Sequence, residues 1–402
     1  MEIKVRLIFE CRRLSYLALF LACCALPALP QNDQRQIAFS LEQQGKVFEA
    51  EAAWRALSAA HPSNPEPYAH LGLLEAHQEH YTEAITFYRK AMALNPAMPR
   101  LRYNLGLAYF KDGEYKDAIL QLRPLLKTPP SSLDEAQQLT VLIGMSHFGM
   151  GEYAAAAPYL KKAADRDARN LPLLLTLAHS CLLSKQYQCV LDEFHRIIAL
   201  NPDSAEAHML AGEALDEMKN TAIATEEFRA AVQANPKQPT VHFGLGYMLW
   251  MQGQNQEAAQ EFQAELENTP DYVQAMLYMA DSYIKVNRQE DARPLLEKVV
   301  MISPDNSMAH LDLGIVYTDA GQKEDALREL NKAIALKPDD KSAHWRLSRL
   351  YRSMGKTAEA NTELAKTKKI NKAGEDSLLK VFSETPQPVS KPQATAPAPP
   401  NQ

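Results

Sequence analysis

The sequence predicts an all-α protein, a right-handed solenoid of about ten helix–turn–helix units. Three columns of repeating residues predict this fold. The first is a column of small residues that returns every 34 residues, with one step of 38: Ala38, Gly72, Gly106, Gly144, Ala178, Gly212, Gly246, Ala280, Gly314 and Ser348. Such a period is typical of repeat proteins, in which each unit packs only on its neighbours.

Two further columns follow the first at fixed distances. A second small column begins at Ala50 and continues at Ala84, Ala118, Ala156, Val190, Ala224, Ala258, Ala292, Ala326 and Ala360. A large apolar column comes four residues later, at Trp54, Tyr88, Leu122, Leu160, Phe194, Phe228, Phe262, Leu296, Leu330 and Leu364. Apolar spacings of three and four residues predict two helices of about a dozen residues in each unit. We expect the two small columns to face each other and the large column to fill the gap to the next unit.

Proline and glycine mark where the helices end. Prolines close most units, because proline lacks the amide hydrogen that a helix needs: Pro62, Pro96, Pro130, Pro202, Pro236, Pro270, Pro304 and Pro338. Glycines mark the turn inside many units: Gly45, Gly113, Gly151, Gly253, Gly321 and Gly355. The units are predicted to begin near residues 31, 65, 99, 137, 171, 205, 239, 273, 307 and 341, with a loop insertion at residues 129–132.

These columns and closing prolines resemble the tetratricopeptide repeat (TPR) family, over Gln31 to Ile370. The chain departs from the family pattern at Ala168, which replaces a closing proline, and at Val190, which replaces a small residue. The resemblance implies a solenoid that acts as a binding scaffold for other proteins or peptides. It also implies that the first helices line a concave groove.

The two ends of the chain differ from the repeats. Residues 1–30 resemble a signal peptide, because basic residues precede a short apolar stretch from Leu14 to Leu26. We therefore expect a periplasmic or secreted protein with no integral membrane span in the mature chain, since the stretch is too short to cross a bilayer. The alternative is an anchor, through an uncleaved signal or a lipidated Cys23. Residues 371–402 predict a short capping helix over Glu375 to Phe382, then a disordered tail rich in proline, alanine and glutamine.

The sequence carries no signature of catalysis. HExxH, CxxC, GxSxG and phosphate-loop patterns are absent, so we expect no enzyme, cofactor or metal site. A net charge of −6 does not favour a nucleic-acid partner, because the phosphate backbone is bound by clustered lysine and arginine, so we expect none. Four histidines lie at equivalent places in different units, which predicts packing or groove roles: His208, His242, His310 and His344.

Cysteines outside the N-terminal segment number two, Cys181 and Cys189. They flank one predicted turn, where folding back of the second helix brings them near each other. The columns that they occupy need not face each other, so the sequence leaves both a disulfide and two free thiols open.

A stripe on the first helices is the candidate partner site. Its residues lie three before, one after and four after the first small column, together with Asn104: Tyr103, Asn104, Phe110, Met145, Phe148, His179, Glu213, Phe243, Tyr247, Trp250 and Asp281. Aromatic residues in such a row mark contact surfaces, although packing between repeats is the alternative. Asn104 alone resembles the family's asparagine ladder and, with Arg100, its carboxylate clamp, so we expect aromatic-anchored recognition.

The sequence therefore predicts a non-enzymatic adaptor of the cell envelope that binds partner segments in its groove. The alternative is an accessory subunit that presents substrates to a separate envelope enzyme or secretion system. Self-assembly into an array is a third reading, and the oligomeric state stays open.

Overall fold

The computed structural model describes residues 31–127 and 132–384, with side chains over 33–127 and 132–371. Within these residues the chain is helical and has no strand, which confirms the predicted all-α class. The signal segment, the prolines at 129 and 130, and the tail from residue 385 lie outside the described residues. The chain divides into two compact units, one ending at Leu200 and the other beginning at Asn201. From here on these are the first and second unit, and each repeat is called a helix pair.

The first unit contains five pairs of antiparallel helices. Their bounds are α1 Gln31–Gln43, α2 Val47–Ala60, α3 Pro65–His77, α4 Tyr81–Leu94, α5 Leu101–Lys111, α6 Tyr115–Leu122, α7 Leu133–Gly149, α8 Tyr153–Arg166, α9 Leu171–Leu183 and α10 Tyr187–Leu200. A short 3-10 turn, Arg123–Leu126, follows α6. Consecutive helices in this unit pack on each other, as expected of a repeat array.

The second unit repeats the same arrangement. Its helices are α11 Ala205–Glu217, α12 Thr221–Ala234, α13 Val241–Met251, α14 Asn255–Asn268, α15 Val273–Lys285, α16 Gln289–Ile302, α17 Ser307–Asp319, α18 Lys323–Leu336, α19 Lys341–Ser353 and α20 Thr357–Glu384. The odd-numbered helices are the first helices of their pairs.

Side-chain caps fix the start of many first helices. In each case a side-chain oxygen accepts a hydrogen bond from a backbone N–H of the first turn, which would otherwise lack a partner. The capping residues are Asn64, Ser132, Asn170, Ser204, Asn306 and Asp340. The cap at Ser132 begins α7 earlier than residue 137, so α7 has 17 residues where most first helices have 13. The extra residues of the fourth helix pair therefore lengthen α7, and are not simply a loop insertion.

The turn inside each pair has one residue with positive φ. Glycine occupies it six times, but Glu79, Lys185, Lys219 and Asn287 adopt the same conformation with φ near 60°. Glycine is favoured there because it has no Cβ to clash. The turn geometry therefore recurs even where the sequence lacks a glycine.

The large column packs against the first small column. A Cβ added at Gly72 would lie 2.7 Å from the ring of Tyr88, and one at Gly246 would lie 2.8 Å from Phe262. The first small column thus accommodates the large column of the same pair. Phe228 also reaches the next pair, where it lies against Gly244. Close approach of the helices depends on these small residues, because any added side chain would displace a buried ring.

The last helix also differs from the prediction. α20 continues from Thr357 to Glu384 without a break, so residues 375–382 form the end of this helix and not a separate short one.

Candidate functional site

In the first unit, the predicted groove residues divide between a cavity and helix packing. A cavity of about 220 Å³ lies between α3 and α5, lined by residues that include Leu73, His77, Tyr81, Tyr88, Asn104 and Lys111. Its lining exposes mostly apolar atoms. Asn104 therefore lines a recess formed by α3, α4 and α5.

Two other predicted residues of this unit, Phe110 and Phe148, pack within their own helix pair, and Tyr103 contacts the next pair. The ring of Phe110 lies 5.8 Å from that of Tyr115, and the ring of Phe148 lies 5.3 Å from that of Tyr153. Tyr103 is half-buried and donates a hydrogen bond to Gln138 at 3.1 Å. Burial raises the pKa of Tyr103. These contacts agree with the packing alternative for Phe110 and Phe148.

Three more predicted residues lie outside the ring contacts just described. Met145 on α7 and His179 on α9 are half-buried, and Glu213 on α11 is exposed.

Cys181 and Cys189 are joined by a disulfide across the turn between α9 and α10, with their Cα atoms 5.9 Å apart.

In the second unit, four aromatic side chains form a continuous group that we call the aromatic cluster: Phe243, Tyr247 and Trp250 on α13, and Tyr278 on α15. The ring of Tyr278 lies 5.9 Å from Phe243, 5.3 Å from Tyr247 and 4.9 Å from Trp250. All four side chains are half-buried, so each keeps part of its surface open. Tyr278 was missed by the sequence analysis, because it lies two residues before the small column.

A buried carboxylate holds α13 in place. Glu265 on α14 accepts hydrogen bonds from the backbone N–H of Thr240 at 3.0 Å and of Phe243 at 3.2 Å. A carboxylate at this end of a helix is favourable, since the first N–H groups have no partner inside the helix. Glu265 thereby fixes the helix that carries three of the four aromatic residues.

Charged groups surround the open edge of the aromatic cluster. Trp250 Nε1 donates a hydrogen bond to Asp281, which also forms an ion pair with Lys285 at 2.8 Å. The Lys285 ammonium lies 4.0 Å from the centre of the Trp250 ring, a cation–π geometry. Burial raises the pKa of Tyr278, and the neighbouring Tyr247 and Asp281 add to the effect.

Asp312 on α17 is a second carboxyl group near Asp281. Its side chain is almost fully buried, and within the described residues its Oδ2 atom has no hydrogen-bond partner. Burial raises the pKa of Asp312 to about 8, and Asp281 adds to this shift while Arg346 and Lys285 oppose it. Asp312, like Tyr278, lies two residues before the small column and so outside the stripe that the sequence predicted.

The four equivalent histidines have packing roles, as expected. Each contacts a glutamate 19 residues later on the second helix of its pair, as in His208–Glu227 at 2.7 Å and His310–Glu329 at 2.7 Å. His242 and His344 make the same contact with Glu261 and Glu363. The recurring separation of 19 residues is a sequence signal that could have identified these pairs.

Two other kinds of site are absent from the part of the chain that the structure describes. No group of three or more metal-ligating side chains occurs there. Likewise, none of the helices described has the length and apolar character needed to cross a bilayer.

Known protein families match much of the chain. A family model described as "Tetratricopeptide repeat" matches residues 147–210, 249–310 and 288–349, and a second with the same description matches residues 217–273. A model described as "TPR repeat" matches residues 75–113.

Two curated relatives match part of the chain. Anaphase-promoting complex subunit 3 of Schizosaccharomyces pombe is 25% identical over 146 residues, which is 36% of this chain and 21% of the relative. Anaphase-promoting complex subunit CDC16 of Saccharomyces cerevisiae is 23% identical over 177 residues, 43% of this chain and 21% of the relative. The chain thus spans about a fifth of the length of these relatives.

Solved structures with a similar arrangement include a tetratricopeptide repeat protein from Parabacteroides merdae, with a TM-score of 0.45 and 18% identity, covering 62% of this chain and 96% of that one. Another is YrrB, described as a TPR protein with an unusual peptide-binding site, with a TM-score of 0.40 and 17% identity over 48% of this chain and 97% of that one. The family-model matches and the repeated helix pairs show that the chain belongs to the tetratricopeptide repeat family.

Proposed function

We propose that this protein is a non-enzymatic adaptor that binds segments of other proteins on the groove side of its first helices, and that it works in the cell envelope after export. The aromatic cluster is the observation that carries the proposal. Aromatic side chains that remain partly exposed are favoured anchors in protein interfaces, because each covers a large apolar area when a partner binds.

The cavity beside Asn104 adds a second recess of the same kind. It lies on the first helices of its unit and exposes mostly apolar atoms. Apolar recesses with a few polar groups are typical of sites that accept the side chains of a bound segment. Each unit therefore offers its own anchoring position.

Export is supported by the basic and apolar composition of residues 1–30 and by the disulfide between Cys181 and Cys189. Disulfides persist in oxidising compartments such as the periplasm and the extracellular space. Two curated relatives are named as subunits of a complex. By analogy we propose that the present chain also acts within an assembly, where it presents segments to a separate envelope component.

Selection from a peptide library tests the binding site. The purified chain is panned against displayed peptides of random sequence, and the binders are measured against wild type and the double variant Tyr247→Ser, Trp250→Ser. We expect the double variant to lose binding by at least about 10-fold, since central aromatic anchors contribute most of the affinity.

Met301→Ser is the matched control, because Met301 is an 82% exposed apolar residue on a second helix of the same unit. It should leave binding unchanged. If the double variant keeps its helical circular dichroism and binds every selected peptide as well as wild type does, the aromatic cluster is not the site.

A further inference from the structure

Beside the aromatic cluster, the chain's own lysine occupies a position that suits a cation. The Lys285 ammonium lies 4.0 Å from the centre of the Trp250 ring and 2.8 Å from Asp281 Oδ2. We call this position, between the Trp250 ring and the Asp281 carboxylate, the cation slot. The Lys285 side chain is 41% exposed, so it can leave the slot by rotating into solvent.

The position of Asp312 places a second carboxyl group on the same side. In the first unit, the residues equivalent to Asp281 and Asp312 are Leu73 and Asn104, and both line one cavity. The repeat therefore brings these two positions together on the groove side. Asp281 and Asp312 are also close enough for Asp281 to raise the pKa of Asp312.

The two carboxyl groups differ in their hydrogen bonds. Asp281 has Trp250 and Lys285 as partners, whereas Asp312 Oδ2 has no hydrogen-bond donor among the described residues. Arg346 and Lys285 act on Asp312 only by their charge. A buried carboxyl oxygen without a donor is unfavourable, because it has lost its water without gaining a hydrogen bond. The Asp281 side chain is 17% exposed and Asp312 is 5% exposed, so Asp281 is the carboxyl group that a ligand can reach.

We propose that this face of the second unit binds a partner segment that inserts an arginine side chain into the cation slot, between Trp250 and Asp281, while neighbouring apolar residues of the segment cover the aromatic cluster. This inference rests on the proposed function and specifies its ligand. It predicts that recognition depends on positive charge, and that Lys285 competes with the incoming side chain.

Arginine suits the slot for geometric reasons. Its guanidinium group is planar, stacks on aromatic rings and carries five N–H donors, so it can lie on the Trp250 ring and donate to Asp281 at the same time. Lysine offers the same charge with a compact ammonium group and no flat face. We therefore expect arginine to bind more tightly than lysine.

Four matched peptide libraries test the charge requirement. Each contains 12-residue peptides of random sequence, with arginine, citrulline, leucine or glutamate at the central position. Citrulline keeps the shape of arginine but has no charge. We expect binders to the purified full chain to come mainly from the arginine library, and an arginine peptide to lose about 10-fold in affinity when citrulline replaces the arginine.

Variants of the slot give a result that general destabilisation would not produce. Asp281→Asn should weaken the arginine peptide by about 10-fold and leave its citrulline form unchanged. Lys285→Met should strengthen the arginine peptide several-fold, because it removes the internal competitor. Lys298→Met is the matched control, since it removes a lysine of similar exposure from a second helix, where Lys298 pairs with Asp271.

The possible outcomes separate the two proposals. Any of four results would overturn the cation slot. Arginine and citrulline peptides bind equally, glutamate is preferred, binding to Lys285→Met is weaker, or no library yields a binder. If the arginine preference is absent but Tyr247→Ser, Trp250→Ser still abolishes binding, the proposed function stands without it. If that double variant has no effect either, both proposals fail.

Discussion

Asp312 is the residue near the site whose burial lowers the free energy of unfolding at neutral pH. It is 5% exposed and its Oδ2 atom lacks a hydrogen-bond donor in the described part of the chain. An ionised carboxylate in such surroundings is costly, so the folded protein keeps the proton up to a pKa of about 8. The unfolded chain releases that proton near pH 4, which is ordinary for aspartate.

This difference makes stability depend on pH. Below about pH 4 both states hold the proton, and the residue has no effect. Between about pH 4 and 8 the unfolded state releases the proton first, so the free energy of unfolding falls as pH rises. Above pH 8 both states are ionised and the loss is complete.

Asp312→Asn should therefore stabilise the protein increasingly as pH rises. We expect its advantage over wild type to grow from pH 5 to pH 8 and then level off, reaching roughly 3–5 kcal/mol, since one pKa unit corresponds to about 1.4 kcal/mol. Urea unfolding at several pH values measures it. Asp305→Asn is the control, because Asp305 is 85% exposed. A difference between variant and wild type that is the same at pH 5 and pH 8 would contradict the account of Asp312.

The sequence identified part of the site and missed part for a physical reason. Phe243, Tyr247 and Trp250 could be predicted because they share one stripe of a helix whose packing face is marked by the small column. Tyr278 and Asp312 belong to a neighbouring stripe, two residues before that column. Whether this stripe lies against protein or is open depends on the tilt between adjacent helices, which no local pattern specifies.

At the scale of helices, the spacing of the columns was sufficient to predict the pairs but not their ends. Leu133 begins α7 early because Ser132 supplies a cap, and α5 begins at Leu101 after Arg100 adopts a positive φ of 60°. Caps and backbone conformations are local choices that the 34-residue period does not specify. The same limit applies to α20, whose end continues past the last repeat.

The disulfide between α9 and α10 gives a testable property of one helix pair. Reduction should lower the free energy of unfolding by about 2–3 kcal/mol, because the cross-link closes a short loop of the unfolded chain. Denaturation with and without reductant measures this, and alkylation followed by mass spectrometry should find Cys181 and Cys189 protected before reduction. In Cys189→Ser the effect of reductant should disappear. Labelling of both residues without reductant would show that they are free thiols.

At the scale of the whole molecule, the two units repeat one architecture but offer different surfaces. The first has an apolar cavity beside Asn104, and the second has the aromatic cluster with carboxyl groups at its edge. A common fold follows from the shared columns, whereas the residues between the columns are free to vary. Specificity in such a chain is therefore set by those variable residues, on which the fold does not depend.

Site-specific photo-cross-linking tests the central claim most directly. A benzophenone side chain is placed at position 247 in the aromatic cluster or at position 301 on the opposite helices, and the protein is irradiated in the cells that produce it. The account predicts discrete adducts with partner proteins from position 247, which decrease when a library-selected peptide is added in excess to the opened cells, and none from position 301. The same adducts from both positions, or adducts from position 301 alone, would contradict it.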